Sequence, residues 1–457
     1  MPADRRLRPW RLGLLAERYA MPVLDLARLR RAGQRLGLPS ISATTLRDYA
    51  HLFSGSMGRL CLSLLYFLCL THGLSIVDFG FFAGAVAVGT VLARLAAFGY
   101  GSNLFQVGAI RPRLLGHYYA NYLLWLSASI LPCGILAWLS YRLFFDQPDR
   151  LLPYFLIVAS EVLPWRMIDT ASTVSSGLGR FDHASLAFNI GAVCKAAMAI
   201  LFLFLPGSTL MEWAVLYLVS NTLALGLILV FLLPRRRLRW RRSATLLRAR
   251  NALALSGSGL AYTLQAEIDK VLVLTFGGGV AAGMYAICIR VIDLTAVPIR
   301  AFNVLMIQRV LVNRSSMAGR RAKVVVELMI AAVSTVAYGG IVVALWFAPN
   351  MLGHEVAKAV GLLGLLWLVP ALRNLIEYQV ELLYANGRMT TTFYVALAVT
   401  VVKSALMIAV FWHFAGDDEW ITPVNGVFLA SYLVSTVMTY RALREPSDPP
   451  AILREAP

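Results

Sequence analysis

Acidic side chains are scarce in this sequence: 457 residues contain 24 Asp and Glu, and charged residues of both signs together reach only 14%. Against 59% hydrophobic residues and a mean hydropathy of +0.68, that leaves too little polar surface to cover a water-soluble globule. Cysteine is also sparse. Cys61, Cys69, Cys133, Cys194 and Cys288 all fall inside apolar runs without metal-site spacing, so they read as small core hydrophobes and no metal centre is expected. The six histidines, His51, His72, His117, His183, His354 and His413, are scattered around the ends of those runs, a poor arrangement for general-base catalysis. There is no GxxxxGK[ST] run to cradle ATP and no HExxH pair, and the alternation of barrel strands is absent. The first apolar run begins near Leu52, behind a basic stretch too long for a signal-peptide n-region, so no cleavage is expected.

What is present is a series of apolar runs, each long enough to cross a hydrocarbon core of roughly 30 Å as a helix. They are Leu52 to Thr71, Ile76 to Phe98, Leu114 to Tyr141, Leu151 to Val174, Ala184 to Leu205 and Met211 to Leu233, then Ala252 to Phe276, Ala281 to Leu305, Val324 to Ala348, Ala359 to Leu383, Thr391 to Phe414 and Val424 to Tyr440. The expected class is an all-α polytopic membrane protein of about 12 transmembrane helices. Its parts are a basic N-terminal segment (1–51), a first six-helix lobe (52–233), an Arg-rich linker (234–251), a second lobe (252–443) and a short tail (444–457).

The linker, Pro234 to Asn251, carries eight arginines and no acid. Because Lys and Arg flanking spans stay on the cytoplasmic side, it places the middle of the chain there, and twelve spans place both termini there too. The remaining cations agree: cytoplasmic segments hold 30 of the 42 Lys and Arg, the opposite side 3 and the spans 9. That skew accounts for the net charge of +18 through anionic lipid rather than nucleic acid. Residues 1–51 have ten arginines and a helical leucine period in PVLDLARLRRAGQRLGL, which fits either an amphipathic helix on the inner leaflet or a basic arm that only fixes orientation. The outer connections are short, leaving no room for an external domain.

The halves repeat one another. At a lag of 208 residues Asp169, Gly179, Arg180 and Lys195 align with Glu377, Gly387, Arg388 and Lys403; at a lag of 202, Ser54, Gly55 and Ser56 align with Ser256, Gly257 and Ser258; and Ala97 and Phe98 meet Ala301 and Phe302. A duplicated unit with an even number of spans inserts both copies in one orientation, related by an axis along the membrane normal, with a cavity between the lobes.

Each ionisable group within a span needs a partner, a route to the interface or a wet cavity. Arg166 with Asp169, Glu267 with Lys270, Arg290 with Asp293 and Arg373 with Glu377 stand at pairing distance along one helix. Arg59, Arg94, Lys195, Arg300 and Lys403 have no acid within a turn. Arg94 and Arg300 lie close enough to the cytoplasmic end to snorkel. Lys195 and Lys403, near mid-span and equivalent in the repeats, either face a hydrated cavity or form interhelical pairs with Glu161, Glu327 or Glu381. A cation-rich cavity suits an anionic substrate, above all phosphate, with Arg59, Lys195, Arg300, Lys403, Arg94 and Arg290 as candidate contacts. Asp269, Asp293, Glu327, Glu377 and Glu381 are the candidates for a coupling proton or sodium ion; no cofactor is expected. Pro132, Pro164, Pro298 and Pro370 fall inside spans and act either as hinges or as fixed kinks.

The stretch Ala266 to Phe302 has an acid (Asp269), a glycine turn (Gly277 to Gly279), Gly283 with Tyr285, and Arg290 with Asp293; Leu74 to Phe105 has an acid-aromatic-Gly turn and a Gly-x-Gly ending its helix; GLGRF follows at Gly177 to Phe181. In this pattern, over roughly Thr45 to Arg444, the chain resembles the Wzx-type polysaccharide flippases of the multidrug, oligosaccharidyl-lipid and polysaccharide exporter superfamily. The resemblance implies a V-shaped carrier, not an enzyme, in the bacterial inner membrane, moving undecaprenyl-diphosphate-linked oligosaccharides for exopolysaccharide, capsule or O-antigen assembly. A polysaccharide polymerase and other assembly proteins are the implied protein partners, and the basic N-terminal extension departs from the family pattern. A drug or cation antiporter and a membrane polymerase or ligase are the alternatives; the basic cavity argues against the first and the short outer loops against the second.

Overall fold

The computed structural model describes residues 43–145, 147–207, 209–233, 238, 249–312, 320–348, 353–414 and 418–444. The basic N-terminal segment up to residue 42, nearly all of the Arg-rich linker and the C-terminal tail lie outside them. Among the described residues there is no strand; every predicted span falls on helix.

In chain order the helices are α1 (Ala43–Gly73), α2 (Ile76–Leu95), α3 (Tyr100–Ile110), α4 (Leu115–Phe144), α5 (Leu151–Ser160), α6 (Arg166–Gly177), α7 (Phe181–Leu203), α8 (Leu210–Phe231), α9 (Ala249–Val312), α10 (Arg320–Phe347), α11 (His354–Leu363), α12 (Val369–Ala385), α13 (Met389–His413) and α14 (Val424–Ala442). Among the described residues nine stretches are long and apolar enough to cross a membrane; Ala359–Leu366 and Val369–Ala385, bent by 57°, make a tenth if they count as one span, and Gly58–Gly73 is a shorter apolar helix. The protein is a multi-pass membrane protein. The unpredicted element is α3, a short helix after the second span.

A straight helix of 64 residues would run for about 96 Å, three times the hydrocarbon thickness. Instead α9 folds back at Gly278, whose φ of 78° and ψ of 176° leave the helical region. The proof lies in a side-chain bond: the Tyr285 hydroxyl donates to Asp269 Oδ2 at 2.7 Å, although the two residues are sixteen apart and would be about 24 Å apart on one straight helix. The two predicted spans are thus the arms of one helical hairpin.

Apart from α2, helices before the linker pack chiefly on one another, α1 on α7, α7 on α8 and α8 on α5; after it α9 packs on α13, α13 on α14 and α12 on α10 and α14. The principal bridge between these groups is α2 against the α9 hairpin. Glycine makes that approach possible. A Cβ at Gly283 would lie 2.1 Å from the Ile76 carbonyl oxygen, and one at Gly80 2.5 Å from the Gly283 nitrogen. The seam lies at the hairpin tip, at the end of the molecule opposite the linker.

The repeat is legible in the backbone at one place. Gly179 and Gly387 adopt φ of 73° and 72° just after α6 and α12, and the next residues, Arg180 and Arg388, donate their N–H to Ser175 and Leu383 five residues back. Both turns need a left-handed residue, hence glycine. The alignment of Ala97 and Phe98 with Ala301 and Phe302 is not mirrored: Ala97 and Phe98 take left-handed φ of 58° and 47° in a turn capped by Ser129 Oγ on Ala97 N–H, whereas Ala301 and Phe302 lie in unbroken helix.

Candidate functional site

Two cavities lie where the helices of the two groups meet. The larger, of about 570 Å³, is walled on one side by Arg59 and Ser63 of α1, Phe82 of α2, Lys195 of α7 and Tyr217 of α8, and on the other by Lys270, Arg290, Asp293 and Arg300 of α9. The smaller, of about 320 Å³, takes Arg94 from α2, Gln265 and Glu267 from α9, Arg373 and Glu377 from α12, Lys403 from α13 and Phe428 from α14. Thr90, Asp293 and Arg300 line both, so the two are adjoining chambers.

Pro164 shapes the wall of the larger one. Lacking an N–H, it cannot bond to Ser160, and the chain widens there into a single π turn, Glu161–Trp165, between α5 and α6. Glu161 and Trp165 both line the chamber. The turn is pinned to α8 by Asn221 Nδ2 donating to Ser160 Oγ at 2.7 Å and by Ser160 Oγ donating to the Tyr217 carbonyl at 3.3 Å.

Lys195 and Lys403, aligned with each other in the sequence, are held in different ways. The Lys195 ammonium sits 3.8 Å from the centre of the Trp165 ring, donates to the Tyr217 hydroxyl at 3.2 Å and stays 3.9 Å from Glu161 Oε1, to which Tyr217 itself donates. Lys403 is 2.7 Å from Asp269 Oδ2, donates to the Gln265 carbonyl at 3.0 Å and is almost wholly buried. Each therefore combines the two expected settings, lining a cavity while meeting an acid. The partner of Lys403 is Asp269, a residue expected to bind a coupling ion, and not Glu161, Glu327 or Glu381.

Two expected pairs hold: Arg166 with Asp169 at 2.7 Å and Lys270 with Glu267 at 2.6 Å. Two are exchanged. Asp293 meets Arg373 at 3.0 Å instead of Arg290, and Glu377 takes both Nε and Nη2 of Arg300, at 2.7 and 3.1 Å, instead of Arg373. For Arg300 and Glu377 the reason is geometric: the guanidinium fork meets the carboxylate edge-on with two bonds, whereas Arg373 touches Asp293 through Nη2 alone. Arg94, on the wall of the smaller chamber, is 3.9 Å from Asp169.

Arg59 and Arg290 differ from the rest. Among the described residues neither has a carboxylate within 4 Å; Arg59 lies 5.8 Å from the Phe188 ring centre and Arg290 Nη2 donates to the Ser63 hydroxyl oxygen. The larger chamber thus has Arg59, Lys195, Lys270, Arg290 and Arg300 against Glu161 and Asp293, an excess of positive charge in a wall otherwise rich in aromatic rings. Glu327 is elsewhere, between α10, α12 and α14, accepting from Gln379 Nε2 (2.9 Å), Tyr440 (2.7 Å) and Tyr432 (3.1 Å). Neither it nor Glu381 lines either chamber.

With this geometry in view, comparison with solved structures decides the fold. An inward-facing multidrug resistance MATE family transporter of the MOP superfamily superposes with a TM-score of 0.63 at 15% identity, covering 84% of this chain and 94% of the other. This chain has the MATE transporter fold. A MATE in its bent conformation gives 0.54 at 15% identity over 93% of this chain and 98% of the other. A MOP superfamily transporter from Pyrococcus furiosus, whose binding pocket is described as having reverse polarity that suggests a different function, gives 0.53 at 14% over 87% and 93%. No protein-family model matches the sequence, and neither does any curated protein. Within the MATE fold, the chambers described above lie where the helices before and after the linker face each other.

Proposed function

We propose that the protein is a carrier in the bacterial inner membrane that moves an anionic, lipid-linked oligosaccharide, of the undecaprenyl-diphosphate class, from the cytoplasmic to the outer leaflet by alternating access. The observation that carries this reading is the pair of guanidiniums at Arg59 and Arg290, free of carboxylate partners in one chamber beside the aromatic-held Lys195. Such a set offers a diphosphate several charge-assisted hydrogen bonds without first breaking an ion pair. A cation exporter would need the opposite excess.

The test is binding of undecaprenyl diphosphate to the protein in nanodiscs, followed by native mass spectrometry. The Arg59→Ala, Arg290→Ala double variant is expected to lose at least tenfold in affinity and to abolish polymer export in cells while keeping wild-type protein levels. Full affinity in that variant removes the basis of the proposal.

A second reading is multidrug export, favoured by the MATE neighbours and by the rings of Tyr66, Phe82 and Trp165 in the larger chamber. Drug susceptibility in a sensitive host separates the two. The flippase reading expects no gain in resistance to cationic dyes.

A further inference from the structure

Three of the acids expected to hold a coupling ion already face a cation of the chain itself: Asp269 has Lys403 at 2.7 Å, Asp293 has Arg373 at 3.0 Å and Glu377 has Arg300 at 2.7 Å. Lys403 differs from the two arginines. An ammonium is a compact point charge, closer in shape to a simple ion than the broad guanidinium is. Three groups from other helices converge on it: Asp269 Oδ2, the main-chain carbonyl oxygen of Gln265 at 3.0 Å, both on α9, and the Phe428 ring of α14, whose centre is 4.9 Å away. A carboxylate oxygen, a carbonyl oxygen and an aromatic face are the groups that hold a hard cation once it has left water.

The set is fixed by the backbone. Gln265 and Asp269 stand one helical turn apart, which brings the carbonyl of the first beside the side chain of the second. Tyr285, on the other arm of the hairpin, donates to Asp269 Oδ2 at 2.7 Å and sets the direction of the carboxylate. Asp269 and Tyr285 are wholly buried, whereas Lys403 lines the smaller chamber, so the space that a shorter side chain at position 403 would vacate adjoins that chamber. Lys195 has no such setting: its ammonium rests on the Trp165 ring, and its carboxylate, Glu161, is 3.9 Å away.

We infer that Asp269, the Gln265 carbonyl and the Phe428 ring form a monovalent-cation site that the chain fills with its own Lys403. Asp269 then holds no exchangeable sodium ion. Its counter-ion is tethered, does not leave during the transport cycle and is independent of the sodium concentration on either side. This goes beyond the flippase reading and holds whichever cargo the carrier takes.

The test is thermal unfolding in detergent, in the chlorides of sodium, potassium and N-methyl-D-glucamine at equal ionic strength. Wild type is expected to melt at the same temperature in all three. In Lys403→Ala a small ion can take the vacated place and a bulky organic one cannot, so its melting temperature is expected to be higher by about 3 °C or more in sodium or potassium than in N-methyl-D-glucamine. The double variant Lys403→Ala, Asp269→Ala should lose that difference. Lys403→Met, which keeps most of the stem and vacates only the place of the ammonium, serves where the alanine variant does not fold. Equal melting of the single variant in all three salts overturns the site, as does a difference that persists in the double variant. A gain of wild type in sodium that Asp269→Asn removes also overturns it, because the ion on Asp269 would then be exchangeable.

Discussion

A buried cation is tolerated in an apolar bundle in two ways here, and each has a different consequence for its removal. Lys403 balances Asp269 within 2.7 Å, so Lys403→Ala leaves a buried carboxylate without its counter-charge, a change of about 3–5 kcal/mol. Lys195 leans on Trp165 and stays 3.9 Å from Glu161; each carboxylate keeps a tyrosine hydroxyl when its lysine is gone, Tyr217 on Glu161 and Tyr285 on Asp269, so the difference lies in the direct contact that only Lys403 makes with its acid. Lys403→Ala is therefore expected to lower the melting temperature markedly in detergent and Lys195→Ala only slightly. The double variant Lys403→Ala, Asp269→Ala should regain much of the loss. Equal melting temperatures for the two single variants would show that the contacts differ in form alone. The sequence revealed that these lysines were internal and offered Glu161, which Lys195 meets, but not Asp269, which Lys403 meets. Spacing along one helix favoured Arg290 with Asp293 and Arg373 with Glu377, and interhelical pairs replaced both, because partner choice depends on the rotation of neighbouring helices, which no single run of residues encodes.

At the scale of elements, the spans were legible because an apolar run of about 20 residues has only one way to satisfy its backbone in lipid. Connections were harder. Nothing at Ala97 or Phe98 signals a left-handed turn, since neither is glycine, and α3 beyond it went unread for the same reason. The glycines of α2 and the α9 hairpin were seen as turn and motif residues, while their main service is to let Ile76 and Gly283 touch through backbone atoms. A valine at Gly283 cannot be seated with the seam closed, because the clash is with the Ile76 carbonyl and not with a side chain that could move aside. In a background with the five native cysteines replaced, Val77→Cys should react poorly with a membrane-impermeant maleimide and become reactive once Gly283→Val is added. Unchanged reactivity would mean that the helices rearrange without parting.

For the whole molecule, the position of the seam and the position of the chambers together define a direction. The α2–α9 contact closes the end bearing the Gly278 turn, whereas Arg94 and Arg300, on the chamber walls, have about half of their side-chain surface exposed. The chambers therefore open toward the end from which the linker leaves. The arginines of that linker, eight with no acid among them, argue for the cytoplasm on that side. Cargo made in the cytoplasm would then meet an open, cationic mouth, and its release outside would require the glycine seam to separate. Leu294 lines the larger chamber from α9 and reports on this. In the same cysteine-replaced background, Leu294→Cys is expected to react with an impermeant maleimide in inside-out vesicles and to be protected in right-side-out ones. Adding undecaprenyl diphosphate should reduce the labelling, because the diphosphate would occupy the space beside Arg290. Labelling from the outer face alone would reverse the inferred direction and place the arginine-rich linker on the wrong side of the membrane.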